Sequence, residues 1–151
     1  MPEQDRTSRL IATWFGCGNS PVAPGTVGAL GTLPLHFALK ALGPYAYFVG
    51  AVAAVAAGVW ASQRTADALG EKDPQRVVID EVAGTLIAMG LCQGRSLKAQ
   101  LLALALFRVL DIVKPGVIDK AQHLKPPGVG IMADDVLAGI VAGVLARLIS
   151  R

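Results

Sequence analysis

ALGPYAYFVGAVAAVAAGVWASQ, residues Ala41 to Gln63, carries no charged side chain. A helix needs ~20 predominantly apolar residues to cross a bilayer, and this stretch has that length. Its many alanines make it only weakly hydrophobic, but Tyr45, Tyr47 and Trp60 lie near its ends, where interfacial aromatics sit. It reads either as a membrane span or as the buried central helix of a soluble bundle. Both readings are helical, and no other stretch alternates with a strand period for long. The chain is expected to be all-α: a compact bundle of about six helices in a single domain, 1–151, one helix being long enough to span a membrane.

The rest of the composition points the same way. Of 151 residues, 53% are hydrophobic and 17% charged, against about 25% charged in ordinary globular chains. The net charge is +3. With no Lys/Arg run and no interleaved aromatics, nucleic acid is excluded as a partner. A mildly basic chain suits an anionic bilayer surface or an anionic substrate better. Cys17 and Cys92 make no disulfide framework, so a reducing compartment is expected. The N-terminal MPEQDRTSRLIATWFG lacks a contiguous apolar core, so no signal peptide is read there. Residues 1–9 are expected to be loose or a short helix.

Working outward, a Gly/Pro-rich loop should lead into a helix over about Thr26 to Leu42, with Thr26 as its cap. After the apolar stretch, Asp73 and Pro74 read as N-cap and first residue of a helix running through RVVIDEVAGTLIAMG. Ser96 caps the next, LKAQLLALALFRVLDIV, which must end by Lys114 because Pro115 follows. The loop LKPPGVGIM then leads to a last helix starting at about Asp135.

The acids are the informative feature. Asp80, Glu81, Asp111, Asp134 and Asp135 all lie in or beside apolar helical runs. A buried carboxylate without a partner costs several kcal/mol or becomes neutral, so such a group calls for cations. Arg76, Arg108 and Lys114 are candidate bases. Arg108, Asp111 and Lys114 stand three apart and share one side of their helix. A divalent ion would neutralise the acids better, and an all-oxygen set suits Mg²⁺, Mn²⁺ or Ca²⁺. His36 and His123 are isolated, so no zinc site is read. Each acid also has a plainer reading: Asp134 and Asp135 as helix caps, and Asp111 as a local ion pair.

GNSPVAPGTVGALG adds glycines and a hydroxyl where backbone N–H groups at a helix start can meet an anion. It is not a Walker loop, since no Gly-Lys-Ser/Thr follows. Cys17 is not a Cys-x5-Arg nucleophile, because Ala23 stands where that arginine belongs. Acids that hold metal, two bases and an anion-binding loop in a lipid-compatible chain point to phosphoryl chemistry on a membrane substrate.

The segments SPVAPGTVGALGTLPL, IDEVAGTLIA, FRVLDIVKP and GVGIMADDVLAGIVAG, in this order, resemble the phosphatidylglycerophosphatase A family from about Leu10 onward. The resemblance implies an all-helical, Mg²⁺-dependent enzyme of the bacterial inner membrane, a lipid phosphatase acting at the cytoplasmic side. It would convert phosphatidylglycerophosphate to phosphatidylglycerol and phosphate in phospholipid synthesis. By the same resemblance, Asp80, Glu81, Asp134 and Asp135 hold Mg²⁺. Asp111 completes the shell or orients water, and Arg108, Lys114, Gly25 and Thr26 bind the phosphomonoester. The stretch GVIDKAQHLKPPGVG departs from the family pattern at Val117, Gln122 and Pro127, and Asp119 is left out of the core site. Partners are then the lipid substrate and the bilayer, with self-association left open. The alternative is a small membrane ion-binding or transport protein without phosphatase activity, its acids and bases lining an ion path.

Overall fold

A computed structural model describes residues 4–151, and all regular structure among them is helical. The α-helices are α1 (Arg6–Ala12), α2 (Pro24–Gly31), α3 (Leu33–Leu42), α4 (Pro44–Leu69), α5 (Ile79–Gly90), α6 (Leu97–Val113), α7 (Val117–Ala121) and α8 (Pro127–Ile149). A single 3₁₀ turn, Cys17–Asn19, joins the first two. Of the polar stretch 1–9, residues 1–3 lie outside the described residues. The remainder enters α1, capped by Asp5, whose carboxylate accepts the Ser8 N–H at 2.8 Å.

Three boundaries differ from expectation. The helix expected over Thr26–Leu42 is two helices, broken at Thr32 ahead of Pro34. Thr26 therefore caps nothing; α2 begins two residues earlier, at Pro24. The helix expected from Asp73–Pro74 begins at Ile79, because the preceding segment is used elsewhere: the Val77 N–H bonds Pro74 O and the Val78 N–H bonds Ala12 O. The last helix starts at Pro127, not Asp135, with Pro126 as N-cap. Proline is preorganised for the first helical position, where its missing N–H costs nothing. Asp134 and Asp135 are thus two turns inside a helix and cap nothing. Two other boundaries hold: Ser96 caps α6 through the Ala99 N–H, and Lys114 ends it in a left-handed conformation before Pro115.

α5 is the central helix. Ten of its twelve residues are buried, between α8, α6, α4 and α2. Small residues let α8 lie directly on it. A Cβ at Gly139 would sit 2.7 Å from Gly84 O, and one at Gly143 would sit 2.9 Å from Ala88 O. Both obstacles are backbone and cannot swing aside. Gly139→Ala should therefore destabilise the fold by about 1–3 kcal/mol, read from chemical denaturation in detergent.

Two helices, not one, are long and apolar enough to cross a membrane: α4 with 26 residues and α8 with 23. They differ in cover. Only 22% of the α4 window is buried, and Phe48, Val52 and Trp60 face outward, whereas 56% of the α8 window is buried. α4 therefore presents more apolar surface to a lipid phase than α8 does. The connections after α4 and α6, together with the start of α8, meet at one end of the bundle, and the acids are there.

Candidate active site

Asp80 and Glu81 fall in the first turn of α5, where the helix macrodipole favours negative charge. Asp111 is on the last turn of α6. Asp134 and Asp135 come from α8. All five are nearly closed off from solvent, from Asp80 and Glu81 at 9% exposure to Asp135 at 1%. The fold gathers onto one site five carboxylates separated by up to 55 positions of the chain.

Two cations face them. Arg108 bonds Asp111 and approaches Glu81 Oε1 at 3.5 Å. Lys114 bonds Asp134 and donates to Asp111 Oδ1 at 3.0 Å. Asp111 is thus clamped at both oxygens, while Asp80 and Asp135 have no basic partner among the described residues. Arg76 is exposed on the surface and pairs with none of the acids.

The imbalance leaves a specific mark. Five buried carboxylate oxygens have no hydrogen-bond partner: one each on Asp80, Glu81 and Asp134, and both on Asp135. Native proteins leave few such atoms, so each asks for an explanation. Without a cation, burial pushes the Asp80 carboxyl well above its ordinary range, helped by the charges of Glu81 and Asp135. Burial raises Glu81 as well, against the lowering pull of the Arg108 guanidinium. Burial also works against the Lys114 charge, but Asp134 and Asp111 outweigh it and hold the ammonium above its usual pKa.

The donor set fits a hard divalent cation. One oxygen each from Asp80, Glu81 and Asp135 lies within 4.8 Å of the others, and the same holds for Asp111, Asp134 and Asp135. Asp135 belongs to both trios, and a cation held there would give its two orphaned oxygens a partner.

Asp80, Glu81, Arg108, Asp111, Lys114 and Asp134 form the floor of a cavity of about 700 Å³, and Asp135 is buried beside them, off its lining. Gly25 borders it, and a Cβ there would displace the Glu81 carboxylate and lie 3.0 Å from Arg108 Nη2. Thr26, expected beside it, does not line the cavity. Asp119 lies outside too, accepting from Gln122 Nε2 at 2.6 Å on the surface. The sequence reading missed Lys72, Asp73, His123 and Lys125, which form the cavity's outer wall. Polar residues in loops carry no signal comparable to an acid in an apolar helix.

The sequence model of phosphatidylglycerophosphatase A matches residues 10–150. The chain belongs to the phosphatidylglycerophosphatase A family. Curated relatives agree over most of the chain. An Escherichia coli phosphatidylglycerophosphatase A is 32% identical, covering 90% of this chain and 80% of its own. A Haemophilus influenzae phosphatidylglycerophosphatase A is 37% identical, covering 88% and 82%. A Bacteroides thetaiotaomicron protein, named as a candidate phosphatidylinositol-3-phosphatase, is 42% identical, covering 90% and 89%. No solved structure matches the chain. As a member of this family the chain is a lipid phosphatase, and the acid-lined cavity is where such chemistry fits.

Proposed function

We propose that this lipid phosphatase is Mg²⁺-dependent. In this reading it hydrolyses the terminal phosphomonoester of phosphatidylglycerophosphate at the bacterial inner membrane, from the cytoplasmic side. The observation that carries the reading is the set of five orphaned, buried carboxylate oxygens, three on acids that line the cavity and two on Asp135 close beside them, next to two cations that keep donors to spare. Relatives of the chain are named for two head groups, and both carry a phosphomonoester. The family match favours phosphatidylglycerophosphate. It also favours phosphatase chemistry over ion transport.

Asp80, Glu81, Asp134 and Asp135 would hold the metal, with Asp111 adjoining. A bound Mg²⁺ would supply Lewis-acid polarisation of the phosphoryl group and a lowered pKa for water. The chain's own groups do the rest. Arg108 donates to Asp111 and Glu81 through Nη1, leaving Nη2 beside Gly25 on the cavity. Lys114 uses two of its three N–H donors on Asp111 and Asp134. Each therefore retains a donor for a phosphate oxygen, and charge developing there is met by fixed cations. Asp111, engaged at both oxygens, positions these two bases and is poorly placed to accept a proton. Water adds to phosphorus as the bond to the glycerol oxygen breaks, and the water's proton ends on that leaving oxygen. No side chain needs to become phosphorylated. The apolar face of α4 would keep the cavity at the lipid surface.

The test is phosphate release from phosphatidylglycerophosphate by purified protein in detergent, with Mg²⁺ and then with EDTA. Metal-dependent release is expected. No release under either condition, from folded protein, would overturn the reading.

A further inference from the structure

The cavity is larger than one phosphate needs, and its two deepest cations are already paired with acids. Its outer wall carries different ones. Lys72 comes from the α4–α5 connection, and Lys125, with His123, from the α7–α8 connection. Among the described residues neither lysine has an acidic partner within 4.0 Å. Asp73, the carboxylate on the same wall, lies in the field of Lys114 and Asp111 instead. Ile112 and Leu124 also border the cavity, with 70% and 52% of their surfaces exposed. The one cavity is thus lined by buried acids, by two exposed lysines and by exposed apolar side chains.

We propose that Lys72 and Lys125 form a second anion subsite, which holds the phosphodiester of the head group while the monoester lies on the acidic floor. This rests on the function proposed above and deepens it: the enzyme selects substrates that carry two phosphates, one ester beyond the other. Lysine serves such a site as a mobile point charge, and two lysines from separate connections can close on a diester from opposite sides. Lipids with a lone monoester would reach the floor but leave the wall unengaged.

The experiment compares kcat/KM in Mg²⁺ for two acyl-free substrates. Glycerophosphoglycerol phosphate has both a diester and a monoester; glycerol 3-phosphate has only the monoester. Wild type should prefer the first. The double variant Lys72→Gln/Lys125→Gln should lose roughly 10- to 100-fold of that preference, the scale of one or two charge-assisted hydrogen bonds. Lys120→Gln removes an exposed lysine that does not line the cavity, and should leave the preference unchanged. If wild type acts only on acylated substrate, the same ratio is read from phosphatidylglycerophosphate and phosphatidic acid in mixed micelles. No preference in wild type, or an equal loss on both substrates in the double variant, would overturn the subsite. An equal effect of Lys120→Gln would also overturn it, showing a general field instead. Wild type inactive on every substrate would instead remove the phosphatase reading beneath it.

Discussion

Asp135→Asn should lower turnover by on the order of 10³-fold while leaving the metal-free fold at least as stable as wild type. The two effects separate because of how the residue sits. Asp135 is 1% exposed, and neither of its oxygens has a partner. It adds charge to a site that already has more acids than bases, so in the apo protein it is a burden worth several kcal/mol. Removing the charge relieves that burden, and the amide keeps the shape. Asp135 is also the one carboxylate common to both possible ligand trios, so losing it damages both. Asp111→Asn should behave differently. It removes the acid that Arg108 and Lys114 share, leaving Arg108 only Glu81 and Lys114 only Asp134, and breaking a buried pair on one side costs up to about 3–5 kcal/mol. Stability and activity would then fall as one. Denaturation midpoints and turnover for the two variants, measured in parallel, check this.

The second large effect is on pH dependence. Metal-free protein should gain stability as pH falls from neutrality, the reverse of ordinary acid denaturation. Asp80 and Glu81 both have folded-state pKa values raised above their ordinary 3.8 and 4.5. The folded state then holds more protons than the unfolded one. That contribution is fully present below the ordinary values and is lost as pH rises through the raised ones. Each excess proton is worth about 1.4 kcal/mol per pH unit. A cation that binds only the folded, ionised site should flatten this slope and lift the thermal midpoint as its concentration rises. Thermal melts at several pH values, with EDTA and with Mg²⁺, read both effects. A slope of the ordinary sign in EDTA would mean that the acids are not buried together.

How far the sequence could be read depended on what each residue was asked to contradict. Acids interrupting apolar runs are costly, so Asp80, Glu81, Asp111, Asp134 and Asp135 stood out before any fold was known, and the structure brings them together. α6 was legible at both ends because Ser96 and Pro115 act locally. The start of α8 was not. Pro126, Pro127, Gly128 and Gly130 read as loop, yet proline opens the helix and the glycines answer to tertiary contacts. A Cβ at Gly130 would lie 2.6 Å from Leu124 O, and one at Gly128 2.9 Å from the Gln63 backbone N. The start of α5 was missed for a similar reason. Asp73-Pro74 is a sound cap in isolation, but the next residues are held by Val78 N–H bonding Ala12 O, 66 positions away in sequence. Lys72 and Lys125 were invisible because a lysine in a loop contradicts nothing. Their position on the cavity wall follows only from the fold.

The central claim is that these acids exist to hold a divalent cation. Mn²⁺ binding, followed by electron paramagnetic resonance on purified protein in detergent, tests it most directly. Wild type should take up Mn²⁺ at the acidic floor, Mg²⁺ should displace it, and Asp135→Asn should bind at least about tenfold more weakly. Folded wild-type protein that leaves Mn²⁺ free in solution, or Asp135→Asn that binds it as tightly as wild type, would contradict the account.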